Sequence, residues 1–288
     1  LSDGTIQVEG TTNQSITWDS SKTYLVKGFV YVDQGGVLNI QPGTVIKGDK
    51  ASKGSLIIKR GGKINAVGTA AFPIVFTSSQ AIGTRNPGDW GGIIICGNSP
   101  INLPGSEGQI EGGPDALYGG TVANDNSGAL KYVRIEYAGI PFQPNQEING
   151  LTLGGVGSAT EIDYIQVSYC GDDAYEMFGG NVNLKHIISF KTTDDDLDTD
   201  NGYSGKIQFG VILRDPNIAD VSGSNGFESD NDANGSTASP GTKAIFSNIS
   251  VFGPKQDTSS SVNSNFKRGA HLRRNTQTCI YNSLISGY

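Results

Sequence analysis

What the chain lacks narrows the field first. It has a single methionine and no long stretch of apolar residues at helical spacing, which predicts almost no helix. No run approaches the ~18 apolar residues of a membrane-spanning helix, so no transmembrane segment is expected. Cys96, Cys170 and Cys279 stand far apart with no CxxC spacing. That argues against a cysteine metal site or a disulfide scaffold and predicts small buried side chains. Basic residues are outnumbered, 21 Lys and Arg against 28 Asp and Glu for a net charge of −7. Such a balance speaks against a nucleic-acid partner, whose phosphates want clustered Lys and Arg. His186 and His271 have no third zinc partner in sequence and are expected to be structural. No nucleophile elbow, EF-hand or nonapeptide calcium motif is present. The first residue is Leu1 and no signal peptide is seen, so a mature or trimmed chain is expected.

Glycine, by contrast, is abundant at 41 residues, and it recurs at the ends of short apolar runs, where turns need positive φ. Phe29 to Ile40 and Ser55 to Ala66 share one pattern, strand, Gly-Gly, strand, at a constant step of 26 residues (61 − 35). Val45-Ile46 and Ile74-Val75-Phe76 supply a third short strand. Fixed-period self-similarity of this size marks a solenoid whose coils cannot bury a core alone. Three strands per coil are therefore expected, in an all-β chain with almost no helix. Residues 1–22, with Trp18, read as an N-terminal cap, and residues 23–288 as one solenoid with insertions near 98–127, 216–224, 233–242 and 254–266. The last strand breaks off at Tyr288 without a turn or polar cap, so the solenoid is expected to continue beyond 288 in a larger chain.

The repeat is sharpest between Cys170 and Gly202. Asp172-Asp173 followed by AYEMFGG matches Asp194-Asp195-Asp196 followed by LDTDNG after 22 residues (198 − 176). Asn225 to Asp232 and Arg268 to Asn275 continue it after 30 and 43 residues (228 − 198, 271 − 228). Residues two apart in a strand share a face, so Glu176, Asp198, Glu228 and His271 are predicted to form one outward column. Phe178, Asp200, Asp230 and Arg273 form a second. Tyr175, Leu197, Phe227 and Ala270 then point inward, as do Met177, Thr199, Ser229 and Leu272.

Stacked strands lie ~4.8 Å apart, and two like charges at that distance repel by ~1 kcal/mol in water or ~3–4 kcal/mol at an effective dielectric near 20. A bound cation, proton uptake, or splaying into water would relieve the ladder. Calcium, which takes 6–8 oxygen ligands, is the candidate cofactor, with Asp194, Asp195, Asp196, Asp198, Asp200, Asp230 and Asp232 as candidate metal ligands. Glu176, Phe178, Asp198, Glu228, Asp230 and His271 are candidate binding residues. Exposed aromatics such as Phe178, Trp90, Tyr118 and Tyr203 offer stacking surfaces for sugar rings. A solvated acidic face is the plain alternative. For catalysis the candidates are Asp172, Asp173 and Asp200 as acids, with Lys191 and Arg273 as bases.

These coils resemble right-handed parallel β-helix proteins of the pectate-lyase-like superfamily, which implies that fold; the step size and insertions give roughly eight to ten coils. The runs GDWGGIIICGN, DDDLDTDNGYSGKIQFGVILRDP, SGSNGFESDND and GAHLRRNT resemble a group of exported surface proteins of Bacteroidetes-type bacteria, over about residues 85–288. That resemblance implies a location on or outside the cell and a sorting domain after the helix. Asp172-Asp173 and Thr199-Asp200 resemble the GDD and NTD elements of β-helix hydrolases, whose GHG and RIK-like elements are missing here. The expected function is a calcium-stabilised binding or scaffold protein, associated with polysaccharide or with another surface protein. The alternative is a calcium-dependent polysaccharide lyase or a glycoside hydrolase on the acidic face.

Overall fold

The structure, a computed structural model, describes residues 4–143 and 146–288. Twenty-one strands join into one continuous hydrogen-bonded system, wound as a parallel β-helix with three sheets along its length. Every pairing between coils is parallel, and parallel crossovers of L-residues take the right-handed sense. No α-helix occurs among the described residues, only a short 3-10 turn at Pro104–Ser106.

Sheet A runs from the second half of Ile6–Thr12 through Thr23–Val32, Ser55–Ile58, Ile93–Cys96, Leu151–Val156, Tyr175–Gly180, Leu197–Asp200 and Asn225–Ser229 to Arg268–Leu272. These nine strands define coils 1 to 9. Sheets B and C complete each coil. In coils 2 and 3 they are separate strands, Val37–Ile40 then Val45–Gly48, and Lys63–Val67 then Ile74–Ser78. In coils 4 to 8 one long strand serves both: Gly128–Glu136, Glu161–Ser168, Asn183–Phe190, Lys206–Leu213 and Ile245–Phe252. Coil 9 closes with Cys279–Tyr281 and Leu284–Ser286.

Alternation builds the core. Val37–Ile40 and Val45–Gly48 each bury every second residue, and the inward residues stack from coil to coil. Ile40, Ala66, Leu130, Ile162, Leu184, Ile207 and Phe246 form one such buried column in sheet B. Each large apolar member contributes roughly 1.5–3 kcal/mol by leaving water. The Gly-Gly turns act as expected. Gly61 has φ of +80°, and a Cβ on Gly62 would lie 2.4 Å from the Val32 carbonyl oxygen.

The corner between sheets B and C lies inside each long strand. It turns through one residue at positive φ, and that residue is not glycine: Tyr132, Tyr164, His186, Phe209, Asn248 and Asn282 occupy it in successive coils. L-residues resist this conformation by roughly 1–2 kcal/mol. Ring stacking offsets the cost, with centroids 4.4 Å apart for Tyr132 and Tyr164, 4.3 Å for Tyr164 and His186, and 5.2 Å for His186 and Phe209. His186, whose Nδ1 lies 2.7 Å from Asp163 Oδ1, is thus a structural histidine.

Two further segments take their places in the fold. The segment read as a cap supplies Ile6–Thr12 and Ser15–Trp18, which pair in parallel with Thr23–Val32 and Val37–Ile40, so the first coil begins inside it. The insertion at 98–127 is an ordered cover: its Gly108–Gln109 and Leu117–Tyr118 hairpin helps bury Ile57, Ile94 and Cys96 on the outer side of sheet A. A Cβ on Gly154 would meet the Tyr118 ring at 2.7 Å, so glycine is what lets this cover lie flat.

Candidate functional site: a carboxylate-lined cleft on sheet A

Where the cover ends, the outward columns become acidic. Thr152, Glu176, Asp198, Glu228 and His271 are register neighbours, as are Gly154, Phe178 and Asp200. At the corner entering sheet A, Asp172-Asp173 and Asp194-Asp195 stack likewise, with the Asp195 backbone N–H donating to Asp173 Oδ1 at 2.8 Å. Of these, Asp172, Asp173, Glu176, Asp194, Asp195, Asp198, Glu228 and His271 line a cleft of about 950 Å³.

Within it, carboxylate oxygens lie within 4.8 Å of one another in three overlapping groups: Asp172, Asp173 and Asp194; Asp173, Glu176 and Asp198; Asp195, Asp198 and Glu228. Amides relieve part of the crowding. Asn149 Nδ2 donates to Glu176, and Asn225 Nδ2 donates to Asp195 Oδ1 at 3.1 Å and Glu228 Oε2 at 3.0 Å. Asn225 Oδ1 is buried and has no hydrogen-bond partner among the described residues. Asp172 and Asp198 accept no hydrogen bond from any described residue. Burial first, and then neighbouring carboxylates, push Asp172, Asp173, Glu176, Asp195 and Asp198 well above the usual carboxylate range. Burial likewise raises Asp194 and Asp200 to about 6. Proton uptake would reduce the repulsion here, and a cation would do so more strongly.

The C-terminal end of the cleft is different. Arg273 reaches Asp230 Oδ1 at 2.9 Å and pairs with Glu228, Arg274 reaches Asp230 Oδ2 at 2.8 Å, and His271 Nδ1 lies 3.1 Å from Glu228 Oε2. Lys267 and Arg268 also line this end.

Several sequence candidates fall elsewhere. Asp196 is fully buried against Arg214, 3.2 Å from its Nη1, and accepts from Ser189, so its carboxylate is committed to a core ion pair. Asp232 caps its own loop, accepting from the backbone of Asn234 at 2.8 Å and from Ser236. Asp230 is neutralised by two arginines. Asp200 accepts from the backbone N–H of Asn201 and belongs to none of the three carboxylate groups. Lys191 pairs with Asp215 at 3.1 Å and does not line the cleft. Arg273 lines it, but with its guanidinium held by two carboxylates. Phe178 stacks on Tyr118 at 5.8 Å under the edge of the cover, while Trp90, Tyr118 and Tyr203 are buried, so none presents a free ring face.

Other lining residues escaped the sequence reading. Glu111 comes from the cover, Glu147 from the short strand Gln146–Glu147 that pairs with Pro141–Gln143 before coil 5, and Asp220 from the 216–224 loop. Long-range loop docking brings them in, and no repeat register signals it. Asn225 and Arg268 were legible, since both fall in the column of Asp173 and Asp195.

The fold and this cleft define a class: a parallel β-helix that presents a chemically distinct, concave face on one of its three sheets. The chain belongs to the pectate-lyase-like β-helix domain family, whose sequence profile matches residues 10–288. Comparison with curated proteins and with solved structures gives no match. No helix among the described residues is long and apolar enough to cross a membrane.

Proposed function

We propose that this protein binds polysaccharide outside the cell or at its surface through a calcium-loaded sheet A cleft. The observation that carries the reading is the set of three overlapping carboxylate groups, of which the first two have no ion pair with a basic side chain among the described residues. Their oxygen donors suit a hard cation such as calcium, which favours clustered carboxylates with amide and carbonyl oxygens. Asp172, Asp173, Asp194, Asp195, Asp198, Glu176 and Glu228 would hold it, with the unpartnered Asn225 Oδ1 as a neutral donor. Bound calcium supplies positive charge where an anionic sugar would otherwise be repelled. The family's pectate-lyase likeness supports carbohydrate as the ligand class and an extracellular location. Another surface protein is the competing partner class.

A second reading, a calcium-dependent polysaccharide lyase, is favoured by the basic end of the cleft, where Arg268 and Lys267 stand beside the carboxylate ladder. A hydrolase is less favoured, because Asp200 lies outside the carboxylate groups. The test is affinity electrophoresis of the protein in acidic and neutral polysaccharides, with calcium and with chelator, followed by ultraviolet absorbance for unsaturated products. Retardation in an acidic polysaccharide that disappears with chelator supports the binder, and absorbance gain adds the lyase. Equal mobility in every gel contradicts both.

A further inference from the structure

The outer side of sheet C also changes character along the axis, by hydropathy instead of charge. Its two outward columns carry Val45 and Lys47, Val75 and Thr77, Arg134 and Glu136, Gln166 and Ser168 in coils 2 to 5, so every charged member falls in this half. In coils 6 to 9 the same columns carry Ile188 and Phe190, Val211 and Leu213, Ser250 and Phe252, Leu284 and Ser286. None of these eight side chains is charged. Ile188, Val211, Leu213, Phe252 and Leu284 are 40–51% exposed, and Tyr164 and Phe209 on the adjoining corner are 40% and 44% exposed. Charged groups border it at the edges: Lys191 with Asp215, and Lys255 beside Leu213 and Phe252, on one side, Asp163 beside His186 on the other.

We infer that this face docks a second copy of the chain, sheet C against sheet C across a two-fold axis. An apolar centre with a charged rim is the layout of a protein interface. Large side chains of this kind carry about 200 Å² each, so seven of them exposed at two fifths to a half leave on the order of 600 Å², at the top of what ordinary monomer surfaces show. Pairing two copies removes about 1,200 Å², the lower bound for a specific interface. Charge selects the occupant. The chain carries −7 overall, and this is the stretch of sheet C where two copies meet without opposing like charges. A strongly charged partner would find nothing to pair with at the centre. Parallel sheets also stack face to face at ~10 Å without rearranging their backbones, and an isologous contact of this kind closes at two copies. Sheet A stays open in such a dimer, so the inference stands or falls apart from the cleft.

Sedimentation velocity over about 1–100 µM tests it. The expected result is a concentration-dependent monomer–dimer equilibrium with a micromolar dissociation constant. The Val211→Lys/Leu213→Lys double variant, altered only at exposed positions, should keep its circular dichroism and weaken the dimer at least 100-fold. Lys47→Glu at the polar end should leave the dimer unchanged. A wild-type chain that stays monomeric at 100 µM overturns the inference, and so does a dimer indifferent to the two lysines.

Discussion

The two halves of sheet A share one backbone, one register and one pair of outward columns, yet they meet opposite fates. In coils 3 to 5 the first column holds Ile57, Ile94 and Thr152, and the 98–127 insertion seals it into a satellite core with Ile101, Ile110 and Tyr118. In coils 6 to 8 it holds Glu176, Asp198 and Glu228 and faces the cleft. The winding is the same in both. What differs is which side chain stands at each outward position and whether a loop covers it. A parallel β-helix thus separates folding from function cleanly: inward columns supply stability, and outward columns are free to carry chemistry.

The largest effect should come from erasing that difference on the covered side. Ile94→Asp puts a carboxylate beneath the insertion with no donor to meet it, and should cost ~3–5 kcal/mol, lowering Tm by about 10 °C or more in differential scanning calorimetry. A loss under 1 kcal/mol would mean the cover opens to water.

On the open side the effect is read through pH. Asp194 and Asp200 rise to about 6, and the more crowded acids rise further. A carboxylate with a raised folded-state pKa binds more protons folded than unfolded. It therefore stabilises below its ordinary value of 3.8 and loses that contribution as pH climbs through its folded value. In chelator, Tm should peak near pH 4–5 and fall by roughly 5–10 °C toward pH 8. Below that optimum, Asp215 and Asp89 act in the opposite sense. Burial opposes their charge, but hydrogen bonds, with those from Lys191 and Lys50 among them, hold both below the usual range. Calcium should flatten the fall at neutral pH.

Arg273→Ala sharpens the contrast between the two ends of the cleft. It releases Glu228 and Asp230 from a half-exposed partner, which should cost about 1–2 kcal/mol in chelator. Calcium should then stabilise the variant more than the wild type. The smallest expected change is Asp198→Asn, which relieves repulsion and should raise Tm in chelator by about 2–4 °C.

Much of this was legible in the sequence because the solenoid writes its register into its spacing. Steps of 22, 30 and 43 residues placed Glu176, Asp198, Glu228 and His271 in one column, as the strand pairing has them. The inward partners Met177, Thr199 and Ser229 are buried as expected, while Leu272 is 43% exposed in coil 9, with no described coil packed beneath it. Repeats say nothing of what lies off-axis. The role of Asp196 depends on Arg214, and that of Phe178 on Tyr118, both contacts made across loops. The aromatic corner was missed because Tyr132, Tyr164 and Phe209 look like ordinary strand residues until their positive φ breaks the alternation.

The central claim is that the open half of sheet A is a cation site. Calorimetric titration of calcium into chelator-treated protein, with Tm measured alongside, tests it most directly. Saturable binding of at least one calcium per chain is expected, with a Tm gain of about 5–10 °C at 100 times the dissociation constant, both lost in Asp195→Asn/Asp198→Asn. No binding heat and an unchanged Tm at 10 mM calcium, on the order of the weakest extracellular sites, would contradict it and leave a proton-relieved acidic face on a β-helix scaffold.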